Sequence, residues 1–216
     1  NDPRMEVRFG GLTQEGDEAE SFLTYAFLGA IFLMFLILVT QFNSLVQPFI
    51  ILISVAFSTA GVFLGLTLAQ AEPSTVMTGT AIVGLAGIVV NNNIVLIDTY
   101  NRLKLENPKV STEDLIQRTC LDRLRPVLLT SITTIFGLIF LANGYSVDLY
   151  NQTVYEGTST VKWYQNFGIS ICWGLGFSTI LTLLVTPSFL MVFEKMSLMN
   201  SNIFSSTINF FRSNKA

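Results

Sequence analysis

The sequence predicts an all-α polytopic membrane protein with five transmembrane helices. From residue 21 to residue 71 the chain carries no Asp, Glu, Lys or Arg. Half of all residues are hydrophobic and only 12% are charged, against roughly 25% charged in a soluble domain. Three more uncharged stretches follow, and apolar runs of about 20 residues have the length of a bilayer crossing.

The elements follow in order. Residues 1–20 are polar and acidic, without the basic start of a signal peptide. Within them Met5-Glu6-Val7-Arg8-Phe9 alternates like a strand that Gly10-Gly11 ends, which reads as the tail of an extracytoplasmic domain. The first uncharged region is too long for one crossing. The polar break Gln41, Asn43, Ser44, Gln47, Pro48 divides it into spans Phe22–Thr40 and Val46–Ala69. A third span covers Thr75–Ile97. Ser111 with Asp114 is an N-cap and N3 pair that opens a cytoplasmic helix over 111–125. Pro126 suits the first turn of the fourth span, 126–142, where a missing N–H is harmless. Residues 167–193 form the fifth span, and 197–216 a polar tail. The membrane domain is thus 21–196.

Orientation comes from the positive charges. The segment 98–125 holds Arg102, Lys104, Lys109, Arg118, Arg123 and Arg125, whereas the loops 70–74 and 143–166 together hold only Lys162. The 98–125 loop is therefore expected in the cytoplasm. Alternation places the N-terminal segment outside and the tail, with Lys195, Arg212 and Lys215, inside. A chain that enters from the outer side and starts at Asn1 reads as the back half of a longer protein.

Several chemistries find no support. Histidine is absent, which removes His-based metal sites and triads. No G-x-S-x-G elbow or H-E-x-x-H pair is present. Cys120 falls in the cytoplasmic loop and Cys172 in the fifth span, so the two are not expected to meet. No basic cluster accompanies exposed aromatics, which argues against nucleic acid. Asn151-Gln152-Thr153 fits the glycosylation pattern but is common by chance. Tyr145, Tyr150, Tyr155, Trp163 and Tyr164 in the 143–166 loop read as an interfacial belt.

The most unusual stretch is Gly84 to Asp98, GLAGIVVNNNIVLID, with three consecutive asparagines inside an apolar run. Polar groups in such a segment face a partner helix or a wet path rather than lipid. Thr80, Gly84, Gly87, Asn91 and Asp98 share one helical stripe, and the small residues allow a neighbour to approach closely. Asn92 and Asn93 are each turned about 100° further, so the three amides cannot meet one partner. The fourth span has a stripe of Arg123, Thr130, Thr133 or Thr134, and Gly137. The expected packing residues are Gly84, Gly87, Thr134 and Gly137. Asp98 and Arg125 read as snorkelling interfacial charges.

The segments GLAGIVVNNNIVLIDTYN and RLRPVLLTSITTIFGLIFLA, preceded by QFNSLVQPFIILISVAFSTAGVFLGL, resemble the C-terminal membrane half of the resistance-nodulation-division (RND) efflux permeases, from about Gly10 to Glu194. The resemblance implies that the five spans are the second half of a twelve-helix bundle built from two repeats. It implies a proton-driven exporter of hydrophobic or amphiphilic compounds, such as a multidrug pump. Such an exporter would be a homotrimer in the inner membrane, with a periplasmic N-terminal segment and cytoplasmic tail. Its partners would be the N-terminal half of the same permease, a periplasmic adaptor and an outer-membrane channel. No cofactor beyond the proton gradient is implied. The proton-coupling residues carried over are Arg123 and Thr130, with Asn91 where many multidrug members have a relay Lys, and Asn92 beside it. Asn cannot titrate, so it would respond to a carboxylate of the other half by hydrogen bonding. The 143–166 loop is longer than the family's usual crossing. A related repeat-built protein, such as a Sec-associated export motor or a sterol-sensing regulator, is the alternative.

Overall fold

The computed structural model describes residues 12–148 and 150–213, with side chains over 16–146, 150–154 and 157–196. The expected strand at Met5–Phe9 lies outside the described residues. Five long helices dominate: α1 Leu12–Phe42, α2 Val46–Leu68, α3 Thr75–Glu106, α4 Thr112–Ala142 and α5 Ser159–Ser213. Between α4 and α5 stands an antiparallel hairpin, β1 Tyr145–Asp148 and β2 Thr153–Glu156, with Tyr145 opposite Glu156. All five helices are long and apolar enough to cross a membrane.

The helices outrun the expected spans. The first begins at Leu12, ahead of Phe22, and α3 continues from Ile97 to Glu106. The cytoplasmic helix and the fourth span are one helix: Pro126 lies inside α4, not at its first turn. Position 126 costs α4 one backbone bond without ending it. Residues 197–213, expected as a polar tail, continue α5. Local chemistry sets the starts. Ser74 Oγ accepts from the Met77 N–H while Thr78 Oγ1 accepts from the Ser74 N–H, a reciprocal cap for α3. Ser111 Oγ accepts from the Asp114 N–H and caps α4. The α1–α2 turn is closed by Asn43 at φ 46° and the α2–α3 turn by Gln70 at φ 53°. The left-handed region suits Asn, while at Gln70 the tight turn imposes it.

The centre of the bundle is α5, packed by α2, α3 and α4, whereas α1 packs chiefly on α2 and α3. The α2–α5 seam is the tightest. Gly61 and Gly65 form a GxxxG face, and a Cβ at Gly65 would stand 2.1 Å from the Trp173 Cβ, one at Gly61 2.6 Å from the Phe177 ring. Small residues four apart let the partner helix lay its own i and i+4 side chains against the backbone. Gly174, facing Leu85 and Val62, and Gly168, against the Ala142 backbone, do the same for α5 itself. The fully buried layer includes Ile50, Ile51, Val55, Val62, Leu85, Val89, Leu96, Ile97 and Leu175. In contrast, α1 exposes Phe22, Tyr25, Leu28, Phe32, Leu33, Leu36 and Ile37 along its length, an apolar surface suited to lipid or to other membrane helices.

Candidate functional site: the asparagine junction of α3

Three consecutive asparagines on α3 point three ways. Asn91 is exposed, on the stripe that also holds Thr80, Gly84, Gly87 and Asp98, all exposed. A Cβ added at Gly84 or Gly87 would meet nothing within 4 Å. Asn92 is 8% exposed. It stands two turns before Thr99, so the two share a face, and Thr99 Oγ1 accepts from Arg123 Nε of α4. Asn93 is fully buried and turns to α5. Its Nδ2 donates to the Val89 carbonyl at 2.9 Å and to Thr182 Oγ1 at 3.4 Å, while its Oδ1 accepts from Thr186 Oγ1 at 2.7 Å. Ser54 of α2 lies 3.3 Å from the Thr186 hydroxyl.

Only the third amide is satisfied within the segment. Among the described residues, the side chains of Asn91 and Asn92 form no hydrogen bond. Of the four residues expected to couple protons, Asn92 and Arg123 come to one interface, through Thr99. Thr130 is exposed on the same helix as Arg123, its hydroxyl turned back to the Val127 carbonyl at 3.0 Å. Asn91 faces outward. At the glycines expected to pack helices, Gly84, Gly87 and Gly137, an added Cβ would meet nothing within 4 Å among the described residues, and Thr134 bonds back to the Thr130 carbonyl. Close packing inside the segment belongs instead to Gly61, Gly65, Gly168 and Gly174. The GVFLG pattern at 61–65 was the signal for the first two.

Other polar contacts bind the helices pairwise. Ser131 of α4 meets Thr179 of α5 at 2.6 Å. Near one end of the bundle the Gln47 and Asn101 amides exchange two bonds of 2.9 and 3.0 Å, and Lys104 Nζ stands 2.7 Å from both Glu194 carboxylate oxygens. Towards the opposite end a groove of about 410 Å³ opens between α1, α2 and α3, lined chiefly by Leu23, Phe27, Phe63, Ile82 and Val83, with Glu20 among its few polar groups. Cys120 and Cys172 are both free thiols. Among the described residues no cluster of Cys, Asp or Glu is placed to hold a metal ion.

Membrane-length helices joined through hydroxyl, amide and glycine contacts define a segment of a polytopic membrane protein. The family follows from comparison: the chain belongs to the AcrB/AcrD/AcrF family, whose model matches residues 3–194, and these are RND permeases. The swarming motility protein SwrC of Bacillus subtilis (strain 168) is 37% identical over 185 residues, covering 85% of this chain and 16% of that protein. The multidrug resistance protein MdtC of Edwardsiella ictaluri (strain 93-146) is 30% identical over 194 residues, or 90% of this chain and 18% of the relative. A crystal structure of a heavy metal efflux pump superposes with a TM-score of 0.70 at 25% identity, covering 86% of this chain and 17% of the pump. The chain thus spans about a sixth of the length of the relatives it matches.

Proposed function

We propose that this chain is the membrane segment of a proton-driven exporter and that the Asn91, Asn92, Arg123 and Thr130 face is its proton-coupling side. The single observation that carries the proposal is the pair of unsatisfied amides, Asn91 and Asn92, on an apolar helix whose third amide is fully bonded. An unpaired amide out of water costs on the order of 1–3 kcal/mol, so a partner outside this segment is required. A carboxylate of the N-terminal half fits, because an Asn N–H group bonds the ionised form more strongly than the protonated one, whose O–H can instead donate to the Asn carbonyl oxygen. Arg123, tied to Thr99 two turns away, adds positive charge to the same interface. Multi-pass placement in the inner membrane, with the N-terminal segment periplasmic and the α3–α4 turn cytoplasmic, agrees with the Lys/Arg bias. Trimeric assembly with a periplasmic adaptor and an outer-membrane channel belongs to the same reading.

Hydrophobic or amphiphilic compounds are the proposed cargo. The apolar groove between α1, α2 and α3, with Glu20 among its lining residues, supports that choice by its size and lining. The family match over residues 3–194 favours this reading over an export motor or a sterol sensor. The test is made in the full-length permease, in vesicles with an imposed proton gradient. Asn92→Leu is expected to abolish export at unchanged membrane level and assembly. Asn91→Lys places a cation opposite the carboxylate, which lowers the pKa of that acid and moves the pH optimum of export to more acidic values. Normal transport by both Asn92→Leu and Arg123→Ala would reduce the face to packing.

A further inference from the structure

The central helix α5 carries a proline, Pro187, in its buried interior. Proline has no N–H to give to the carbonyl four residues earlier, that of Leu183, and its ring crowds that carbonyl, so one turn of α5 is weakened. In a membrane such a break is tolerated where side chains of neighbouring helices hold its ends. Here one residue does so. Asn93 donates to Thr182 Oγ1, one turn ahead of the break, and accepts from Thr186 Oγ1, the residue next to the proline. Its bond to the Val89 carbonyl fixes the amide to α3, and Ser54 of α2 stands behind the Thr186 hydroxyl. Beyond the break, Glu194 of α5 pairs with Lys104, again on α3. The same helix therefore grips α5 on both sides of its weakest turn.

The other helix-interior proline offers a contrast. Pro126 of α4 is exposed, and the polar contacts flanking it go to two different helices, from Arg123 to Thr99 of α3 and from Ser131 to Thr179 of α5. Among the described residues no single side chain hydrogen-bonds on both sides of that break.

We propose that Pro187 is a hinge in α5 and that Asn93 is the positioning residue that holds it closed, so that the part of α5 beyond the proline follows α3. Because Asn91 and Asn92 sit on the same turn of α3, a displacement of that turn would reach α5 through Asn93. The hinge does not depend on what drives transport, and its test uses no transport assay. Full-length permease with Cys120 and Cys172 replaced by Ser is placed in lipid nanodiscs. Spin labels go on Leu105 and Met196, both exposed, to read α3 against the far side of the break, and on Leu105 and Ile180 to read the near side. Pulsed electron paramagnetic resonance gives the distance distributions. Asn93→Leu is expected to widen the 105–196 distribution at least twofold and to leave the 105–180 distribution unchanged. Adding Pro187→Ala, which restores the backbone bond, should return the first distribution to its original width. Thr186→Val, which removes one hydroxyl at nearly constant volume, should widen it in the same direction by less, and serves where Asn93→Leu fails to assemble. Unchanged widths, equal widening of both pairs, or widening that Pro187→Ala does not reverse would overturn the hinge and leave Asn93 as a core-packing residue.

Discussion

Gly65→Ala is the sharpest test of the bundle, because it acts on the closest approach at any glycine among the described residues. The added Cβ would lie 2.1 Å from the Trp173 Cβ and 2.3 Å from its Cγ, where ordinary contact begins near 3.4 Å. The α2–α5 seam must open by more than 1 Å at that level. Overpacking of this kind costs about 1–3 kcal/mol, and the clash with the Trp173 Cβ, which no rotamer change can move, places Gly65→Ala at the upper end. Replacing Gly by Ala in a helix returns about 1 kcal/mol of propensity, so the net loss is about 2 kcal/mol. Rescue has a specific form. Trp173→Ala keeps the Cβ that clashes and should restore little, whereas Trp173→Gly removes it and should restore most of the loss. The assay is SDS titration of the full-length permease in dodecyl maltoside micelles, read by energy transfer between fluorophores at Leu68 and Tyr164, the exposed neighbours of this seam. A neutral Gly65→Ala, or equal rescue by Trp173→Ala and Trp173→Gly, would refute the close approach of α2 and α5.

Three further outcomes are expected. Gly84→Leu should impair assembly with the N-terminal half in full-length protein, while Gly29→Leu, at another exposed helix position with nothing within 4 Å, should not; matched effects would show that the α3 stripe faces lipid. Single cysteines at Thr112 and Thr158 in a Cys-free background, probed with an impermeant thiol reagent in spheroplasts, should label at Thr158 alone, and labelling at Thr112 alone would invert the topology. Lys104→Met should lower stability by no more than about 1 kcal/mol, as for other partly exposed ion pairs, because Lys104 is 45% and Glu194 22% exposed at their side chains; a larger loss in the same titration would mean the pair is buried by the rest of the permease.

The spans were legible because charge placement is a one-dimensional signal. The gap between Glu20 and Glu72, the polar break at Gln41–Pro48 and the Lys/Arg cluster at 102–125 need no knowledge of which helices touch. The helix ends were not legible in the same way, since a helix that leaves the bilayer loses its apolar signature but not its backbone bonds. That is why α3 runs on to Glu106 and α4 passes through Pro126. The hairpin at 145–156 was hidden for a different reason: its strands are four residues each, too short for alternation to register. At the candidate site the asparagine triplet was legible as a polar anomaly, and the 100° turn between its members meant that they could not all meet one partner. Which amide met which helix was not, because Thr182, Thr186 and Ser54 are ordinary hydroxyls in sequence and become a site only when α2 and α5 bring them to α3.

The geometry also explains why three amides in a row are useful where one would not be. A membrane helix can present a single polar residue to a single neighbour, but α3 touches α1, α2, α4 and α5 at once. Successive positions step by 100°, so Asn91, Asn92 and Asn93 address the outer stripe, the α4 side and the α5 side at the same depth. Of these, Asn93 is fully bonded and fixes the rotation of the helix about its axis, because turning α3 by one residue would break the bonds of its amide to Thr182 and Thr186 in an apolar core. With that rotation fixed, Asn91 and Asn92 are aimed without spending their own hydrogen-bonding capacity. The rigid amide thus makes the two free ones available, and in the proposed exporter the structural asparagine and the coupling asparagines are distinct residues on one turn.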